Sequence, residues 1–431
     1  MEFEVLKRSH LKRNIVIAVV VVAIISAIIL TFTRAKFKNT ESIPLVNGTI
    51  NYSLADLNIV AIKVDGREVD TLPDGNYELT SESYCTINNE KNSSIKLNYD
   101  SNTKALSVTP MTTKGTKCYL DFKKRNLAKE TLDKLGLIVN DNTPNFNQIA
   151  TTNEGVYKTE DDWGESYYFR GAVDNNWVKF AGYYWRIIRI NGDGSIRLIY
   201  NGTSTQTTGD TTLINNGINQ AFNTNYNRNE YVGYMYTINQ QHGNGTSSSI
   251  KTVIDSWYSS NLASYSDKIS KEAGFCGDRE PSTSSTTSNG SGGTGTTTTY
   301  YGGYIKLVNS KDPTLKCKNS SDLYTVSGSS KGNQALSNPI GLITADEVAY
   351  AGGVYGQTNT SYYLYNDTYY WTMSPYRTYP GGSTSAFLLN SNGNLDASYV
   401  HFEVGVRPVI NLASDVTIKS GNGSSSTPYE I

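Results

Sequence analysis

The feature that most restricts this chain is RNIVIAVVVVAIISAIILTFTR near its start. Residues 15–32 carry no charge, and Ser26 and Thr31 are the only polar side chains among them. At about 1.5 Å per residue the run covers ~27 Å as a helix, close to the ~30 Å hydrocarbon layer of a bilayer. A buried helix of a soluble core rarely stays apolar for so long. A secretory signal peptide is the closer rival, but its apolar core is shorter. Thr33-Arg34-Ala35 stands where a small-residue cleavage site would follow. The run is therefore read as an uncleaved anchor over 14–33, with 1–13 as a cytoplasmic tail.

Charge orients the anchor only slightly, with Lys7, Arg8, Lys12 and Arg13 before it and Arg34, Lys36 and Lys38 after it. The body decides. Residues 1–38 hold seven of the 38 Lys/Arg and two of the 39 Asp/Glu, which leaves 31 bases and 37 acids beyond them, about −6. A body of that charge with no basic run is a poor partner for nucleic acid. It is rich in Tyr, Asn, Ser, Thr and Gly and holds four cysteines, as extracellular chains do. The expected location is the cell membrane, single-pass, body outside.

Cys85 and Cys118 lie in one region, Cys276 and Cys317 in another. No C-x-x-C is present and few His lie nearby, which argues against zinc. Four cysteines allow three pairings. The two local ones are favoured because each closes a loop within one domain, against the alternative of four buried free thiols.

Short alternating runs between turn formers, such as NIVAIKVDG, SIKLNYD and CYLDFK, predict an antiparallel β-sandwich spacer over 45–124. LAKETLDKLGL, 127–137, predicts an amphipathic helix within a helix-and-linker segment, 125–150. AGYYWRIIRINGDGSIRLIYNG predicts two strands around Asn191-Gly192-Asp193-Gly194. Residues 252–270 have helical spacing, and Thr344 with Glu347 forms a capping box that opens another helix. The Ser/Thr/Gly tract within 279–300 predicts a mobile insertion, and 416–431 a C-terminal tail.

Chemistry motifs are weak. GSGGTG, 290–295, has no strand before it and no helix after it, so it lacks the phosphate-cradle setting. No G-x-S-x-G accompanies the three His. NSNGNLD alternates oxygen side chains but lacks the late Glu of a calcium loop. No metal or cofactor is expected. The 32 Tyr stand out, because a core seldom needs so many phenol hydroxyls. Tyr beside Ser, Gly and Asn is the composition of binding surfaces, where rigid aromatic area is joined to adaptable polar groups.

The order YFRGAVDNNWVKFAGYYWRIIRINGDGSIRLIYNG, IGLITADEVAYAG, YWTMSP, GVRPVINL resembles a bacterial family of uncharacterised extracellular domains. That family looks related to the C-type-lectin-like fold, in the branch of formylglycine-generating enzymes and retroelement-diversified variable proteins. The resemblance covers 151–415 and implies a twisted antiparallel sheet, two short helices and long loops. The whole chain would then be α+β: a transmembrane helix, a small all-β sandwich and a C-type-lectin-like domain. The resemblance implies structural roles for Trp185, Trp371 and Arg407, with Asp346 or Glu347 as the arginine's partner. Residues 405–412 become the closing strand and 376–401 an exposed excursion. Ligand contacts would come from Tyr370, Tyr376, Arg377, Tyr379, Asn390, Asn394, Tyr399 and His401.

Glu280-Pro281-Ser282 and Tyr365-Asn366-Asp367 depart from the calcium-dependent sugar motifs. No Cys follows 317, against the oxidase pattern. The expectation is a surface protein that recognises an extracellular protein or glycan by contact. The alternatives are an extracellular enzyme on the formylglycine-generating-like scaffold and a structural envelope protein.

Overall fold

The computed structural model describes residues 42–46, 48–51, 58–73, 75–101, 103–110, 115–282 and 292–431. The expected tail and anchor, 1–33, lie outside these. No helix among the described residues is long and apolar enough to cross a membrane. The fold is α+β and mostly sheet, in two units, Met1–Arg125 and Asn126–Ile431.

In the first unit β1 (Ser42–Val46) and β2 (Gly48–Asn51) form a hairpin. Eight strands follow: β3 (Asn58–Val64), β4 (Arg67–Val69), β5 (Tyr77–Leu79), β6 (Tyr84–Ile87), β7 (Glu90–Lys91), β8 (Lys96–Asp100), β9 (Ala105–Thr109) and β10 (Lys117–Lys124). The main sheet runs β4-β3-β10-β6-β7, with β5 also on β10, and β8–β9 is a separate hairpin. Period-two alternation explains β10: Cys118, Leu120 and Phe122 are buried while Lys117, Lys123 and Lys124 are exposed. The core adds Ile62, Leu72, Leu106 and Val108. The unit is all-β as expected but not wholly antiparallel, since β3 and β10 run parallel. The chain travels between them through the other strands, a crossover that a purely local reading of hairpins does not reveal. Cys85 and Cys118 face each other across β6 and β10 in a disulfide.

The second unit opens with α1 (Leu127–Lys134). The Asn126 side chain caps it by accepting from Lys129 N at 2.9 Å, and Ala128, Thr131 and Leu132 are its buried face. Its predicted last turn, 135–137, is a cap instead, because Gly136 takes φ +65°.

One sheet contains β11 (Asn153–Asp161), β12 (Gly164–Gly171), β13 (Trp177–Phe180), β14 (Tyr183–Ile190) and β15 (Ile196–Tyr200). The predicted hairpin is β14–β15, closed by Asn191 N donating to Ser195 O at 2.9 Å. Trp185, Ile187 and Ile190 on β14 are fully buried, and the near-continuous apolar run reflects cover on both faces. α2 (Ser249–Asn261) begins before the predicted 252–270 and stops nine residues short of its end, and α3 (Ala345–Ala351) carries the complete Thr344–Glu347 capping box.

A second sheet runs β16 (Thr299–Tyr300), β17 (Tyr370–Tyr379), β18 (Ser383–Leu389), β19 (Leu395–Tyr399). β20 (Val409–Leu412) returns beside β15, as a closing strand should, and β21 (Tyr429–Glu430) joins β13 in parallel.

Four boundaries shift. Residues 138–150 are not a free linker: Asn140 N donates to Val156 O at 2.6 Å and Ala150 N to Gly352 O at 3.0 Å. The C-terminal segment is part of the fold, with the Tyr429 hydroxyl donating to Leu135 O at 2.8 Å. The flanks of the insertion are tied down, since Gly295 O accepts from Asn229 N at 2.7 Å and Thr299–Tyr300 pairs with β17. Residues 283–291 of that insertion lie outside the described ones. The expected exposed excursion, 376–401, is a three-stranded meander whose apolar run Ala386–Leu389 is buried. Its Gly and Asn residues are gathered into two turns, not spread along a loop.

Trp185 and Trp371 are buried as expected and donate their indole N–H to Phe180 O at 3.1 Å and Gln220 O at 2.8 Å. Arg407 is fully buried but has no carboxylate partner among the described residues. It donates to Tyr200 O (2.9 Å), Asn201 Oδ1 (2.9 Å) and Leu364 O (3.2 Å). The acids expected for it are engaged elsewhere: Glu347 by Arg189 and Arg197, Asp346 by Lys306.

Candidate ligand-binding face

The meander decides which of the expected contact residues reach solvent. Tyr370 does not. It is fully buried, donates its hydroxyl to Leu364 O at 2.8 Å, and lies under the Arg407 guanidinium at 5.0 Å. Burial pushes its phenol up to about 12. Tyr376 is also buried, stacked on Tyr355 at 5.8 Å and sharing a 2.9 Å hydroxyl–hydroxyl bond with it. Burial, then that bond, raises its phenol well above the ordinary range. Both belong to the core.

Asn390 and Asn394 are half-buried in the β18–β19 turn. Asn390 Oδ1 accepts from Asn392 N at 2.8 Å, and Asn392 Oδ1 accepts from Asn394 N at 3.0 Å. The Asn390 and Asn392 oxygens build successive Asx turns, a local use that competes with any ligand, while Asn394 Oδ1 is buried with no hydrogen-bond partner among the described residues.

Arg377, Tyr379, Tyr399 and His401 do come together. Ser385 on β18 pairs with Arg377 on one side and Tyr399 on the other, so the three form one row across the sheet. The Arg377 guanidinium covers the Tyr379 ring at 4.0 Å, and its Nε has no hydrogen-bond partner among the described residues. Beyond β19 the chain bends, and His401 becomes the centre of an aromatic cluster. Tyr226 lies 4.2 Å from it, Phe402 4.7 Å in an edge contact, and Tyr399 5.9 Å in a stacked one.

Tyr226, Tyr369, Tyr399 and Phe402 are 44%, 47%, 36% and 49% exposed, among the few large apolar side chains left in solvent. His401 Nδ1 is buried and unpartnered among the described residues. His401 and Phe402 also border an open groove of about 570 Å³, with Tyr369, Asp396, Ser398 and Glu403 on its other walls. Among the described residues no lysine or arginine lines it.

Tyr226 arrives from far away in sequence because 220–228 runs beside the meander. Gln220–Ala221 pairs with Glu403–Val404, and Thr384 N donates to Tyr226 O at 3.0 Å. Reading the sequence missed Tyr226, Tyr369, Phe402 and Glu403, and considered Asp396 only as one of the alternating oxygen side chains of NSNGNLD. The HFE triplet after Tyr399 was a local signal for two of them. Nothing local marks Tyr226.

A second, much smaller cavity of about 20 Å³ lies beside Cys276 of the Cys276–Cys317 disulfide, lined by Arg189, Arg197, Asp278, Lys306, Asp346 and Glu347 among others. Arg189 pairs with Asp161 at 2.5 Å and with Glu347 at 3.0 Å, and Arg197 with Glu347 at 2.5 Å. Burial alone would raise the Glu347 carboxyl. Arg197 and Arg189 outweigh it and hold the group below the usual range.

Compared with protein-family models, curated proteins and solved structures, the chain matches none.

Proposed function

We propose that this chain is a membrane-anchored cell-surface protein that binds an extracellular protein or glycan through the aromatic face around His401. On this reading residues 14–33 hold it in the membrane, the β-unit is a spacer, and the second unit is a C-type-lectin-like domain. The observation that carries the proposal is the cluster of Tyr226, Tyr399 and Phe402 around His401, each of the three more than a third exposed, with His401, Phe402 and the exposed Tyr369 on the walls of a groove. Isolated exposed aromatics need no explanation, but a contiguous set beside a concavity marks an interaction surface. Rings offer apolar area at small entropic cost. Asp396 and Glu403 add acceptors for a ligand's N–H or O–H groups. Two disulfides suit a body outside the cytosol.

The test is binding of the detergent-solubilised full chain to glycan and protein arrays, repeated with Tyr399→Ala and Phe402→Ala. Buried aromatic anchors of an interface are worth roughly 2 kcal/mol or more, so each variant should weaken binding by tenfold or more while unfolding at the wild-type temperature. Unchanged binding by both variants would remove this face from the reading.

A further inference from the structure

Arg377 is the exception among the arginines of the second unit. Each of the others donates at least one hydrogen bond within the protein, to a carboxylate, an amide or a backbone carbonyl. Arg377 donates none and pairs with no acid among the described residues, and its Nε is buried. A guanidinium carries five N–H donors and does not give up its charge, so a donor sealed from water without an acceptor is costly.

What surrounds Arg377 is aromatic. Its guanidinium lies 4.8 Å from the Tyr376 ring and 4.0 Å from the Tyr379 ring. Ring faces attract the cation but supply no acceptor in the plane of its N–H groups. The support is fixed: Tyr376 is buried, shares a hydroxyl–hydroxyl bond of 2.9 Å with Tyr355, and meets Phe387 edge-on at 5.0 Å. A guanidinium held in this way loses little freedom when an acceptor arrives.

The sheet sets the neighbours. Tyr300 on β16 pairs with Arg377, Arg377 with Ser385, and Ser385 with Tyr399. Paired residues share a face, as do residues two apart, which adds Tyr379 and Ser383. The same alternation puts Thr378, Thr384 and Asp396 on the opposite face, where the two threonine hydroxyls bond each other at 3.1 Å. The hydroxyls of Ser383 and Ser385 make no hydrogen bond among the described residues. One face thus presents a single cation, two serine hydroxyls and the rings of Tyr300, Tyr379 and Tyr399.

We infer that this face binds a carboxylated sugar, its carboxylate on the Arg377 guanidinium; the inference rests on the reading of the chain as a surface binding protein and names the ligand's chemistry. The planar fork of an arginine matches the two oxygens of a carboxylate. Tyrosine rings offer flat apolar area to the C–H faces of a sugar ring, and serines adapt to its hydroxyls. Beyond residue 38 the chain carries about −6 net charge, so one carboxylate is welcome at the lone arginine, while a densely sulfated chain or an acidic peptide is repelled by the rest.

The test is binding of the detergent-solubilised full chain to glycans ending in uronic or nonulosonic acids, to the same glycans with the carboxyl reduced to the alcohol, to heavily sulfated glycans and to oligoglutamate. The carboxylated forms should bind about tenfold tighter than the reduced ones, or more. Arg377→Gln should abolish that preference at an unchanged melting temperature, and Arg377→Lys, which keeps the charge but not the fork, should retain part of it. Equal binding of carboxylated and reduced glycans by the wild-type chain would overturn the inference, as would a preference that survives Arg377→Gln. Tighter binding of sulfated glycans or oligoglutamate would overturn the sugar carboxylate as ligand. Capture of neutral glycans or proteins alone would overturn this inference and leave the wider binding reading standing. A carboxylate preference lost in Arg377→Gln but untouched by Tyr399→Ala and Phe402→Ala would uphold the arginine site and remove the His401 face.

Discussion

Glu347 shows how much one side chain can be asked to do. Its Oε2 accepts from Thr344 N at 2.9 Å, which starts α3, while its carboxylate also neutralises Arg189 and Arg197. All three charged groups are buried. Replacing Glu347 by Gln leaves two arginines with Asp161 alone, and removing one member of a buried ionic set costs about 3–5 kcal/mol. Urea unfolding of Glu347→Gln should show that loss.

The pH dependence has a definite sign. The folded carboxyl is held below its unfolded value, so its contribution is present above the ordinary carboxylate range and is lost as pH falls through the folded value. Asp193 in the β14–β15 turn has the opposite sign. Burial lifts its carboxyl to about 6, against the Ser195 N–H and hydroxyl that oppose the rise. The native state therefore bears a penalty above about 6 that fades as pH drops towards the unfolded value. Asp193→Asn keeps the acceptor for Ser195 and should gain roughly 1 kcal/mol at pH 8, shrinking to nothing by about pH 4. A gain that grew on acidification would contradict this.

The capping half of Glu347 is written locally as Thr-Ala-Asp-Glu and could be read directly. Its ionic half could not, because Arg189 and Arg197 stand 158 and 150 positions away.

At the scale of elements, the meander β17–β19 separates what the sequence displays from what it hides. The hairpin β14–β15 and the helices α2 and α3 were legible, since each announces itself by a turn, a cap or a 3.6-residue period. The meander was misread as loop because Asn, Ser and Gly dominate its composition by count. Their position matters more: many of them gather in the turns at 380–382 and 390–394, and the strand between ends in the buried apolar run Ala386–Leu389. Tyr370 and Tyr376 were misplaced for the same reason. Strand formation on β17 and cover by Leu364, Tyr355 and Phe387 put both inside.

The second turn is constrained at Gly393. It takes φ +75°, and a Cβ there would meet the Asn359 carbonyl oxygen at 1.8 Å. Gly393→Ala combines left-handed strain with a backbone clash and should cost roughly 2 kcal/mol or more. Because this turn delivers β19, and with it Tyr399 and His401, the variant should also weaken ligand capture. Loss of stability with no change in capture would separate the turn from the binding face.

For the molecule as a whole, each unit has its own core and its own disulfide, and no cysteine is left free. Loop-closure entropy for separations of 33 and 41 residues is worth about 4 kcal/mol per bridge, so neither is a trivial addition. Such bridges persist where the surroundings are oxidising. On the proposed reading the apolar run at 15–32 is what would hold the body there, since beyond residue 38 the chain carries about −6 net charge.

The two facts make one experiment decisive. Intact cells carrying the full chain are treated with a membrane-impermeant maleimide, before and after a membrane-impermeant reductant. Before reduction no cysteine should react. After it, the half-buried Cys276 and Cys317 should label first, and Cys85 and Cys118, 1% and 0% exposed, should lag until the first unit unfolds. Labelling that requires lysis but no reductant would place the body in the cytosol with reduced thiols. The compartment, and with it the extracellular partner, would then fall together, while the described strands and helices would stand unchanged.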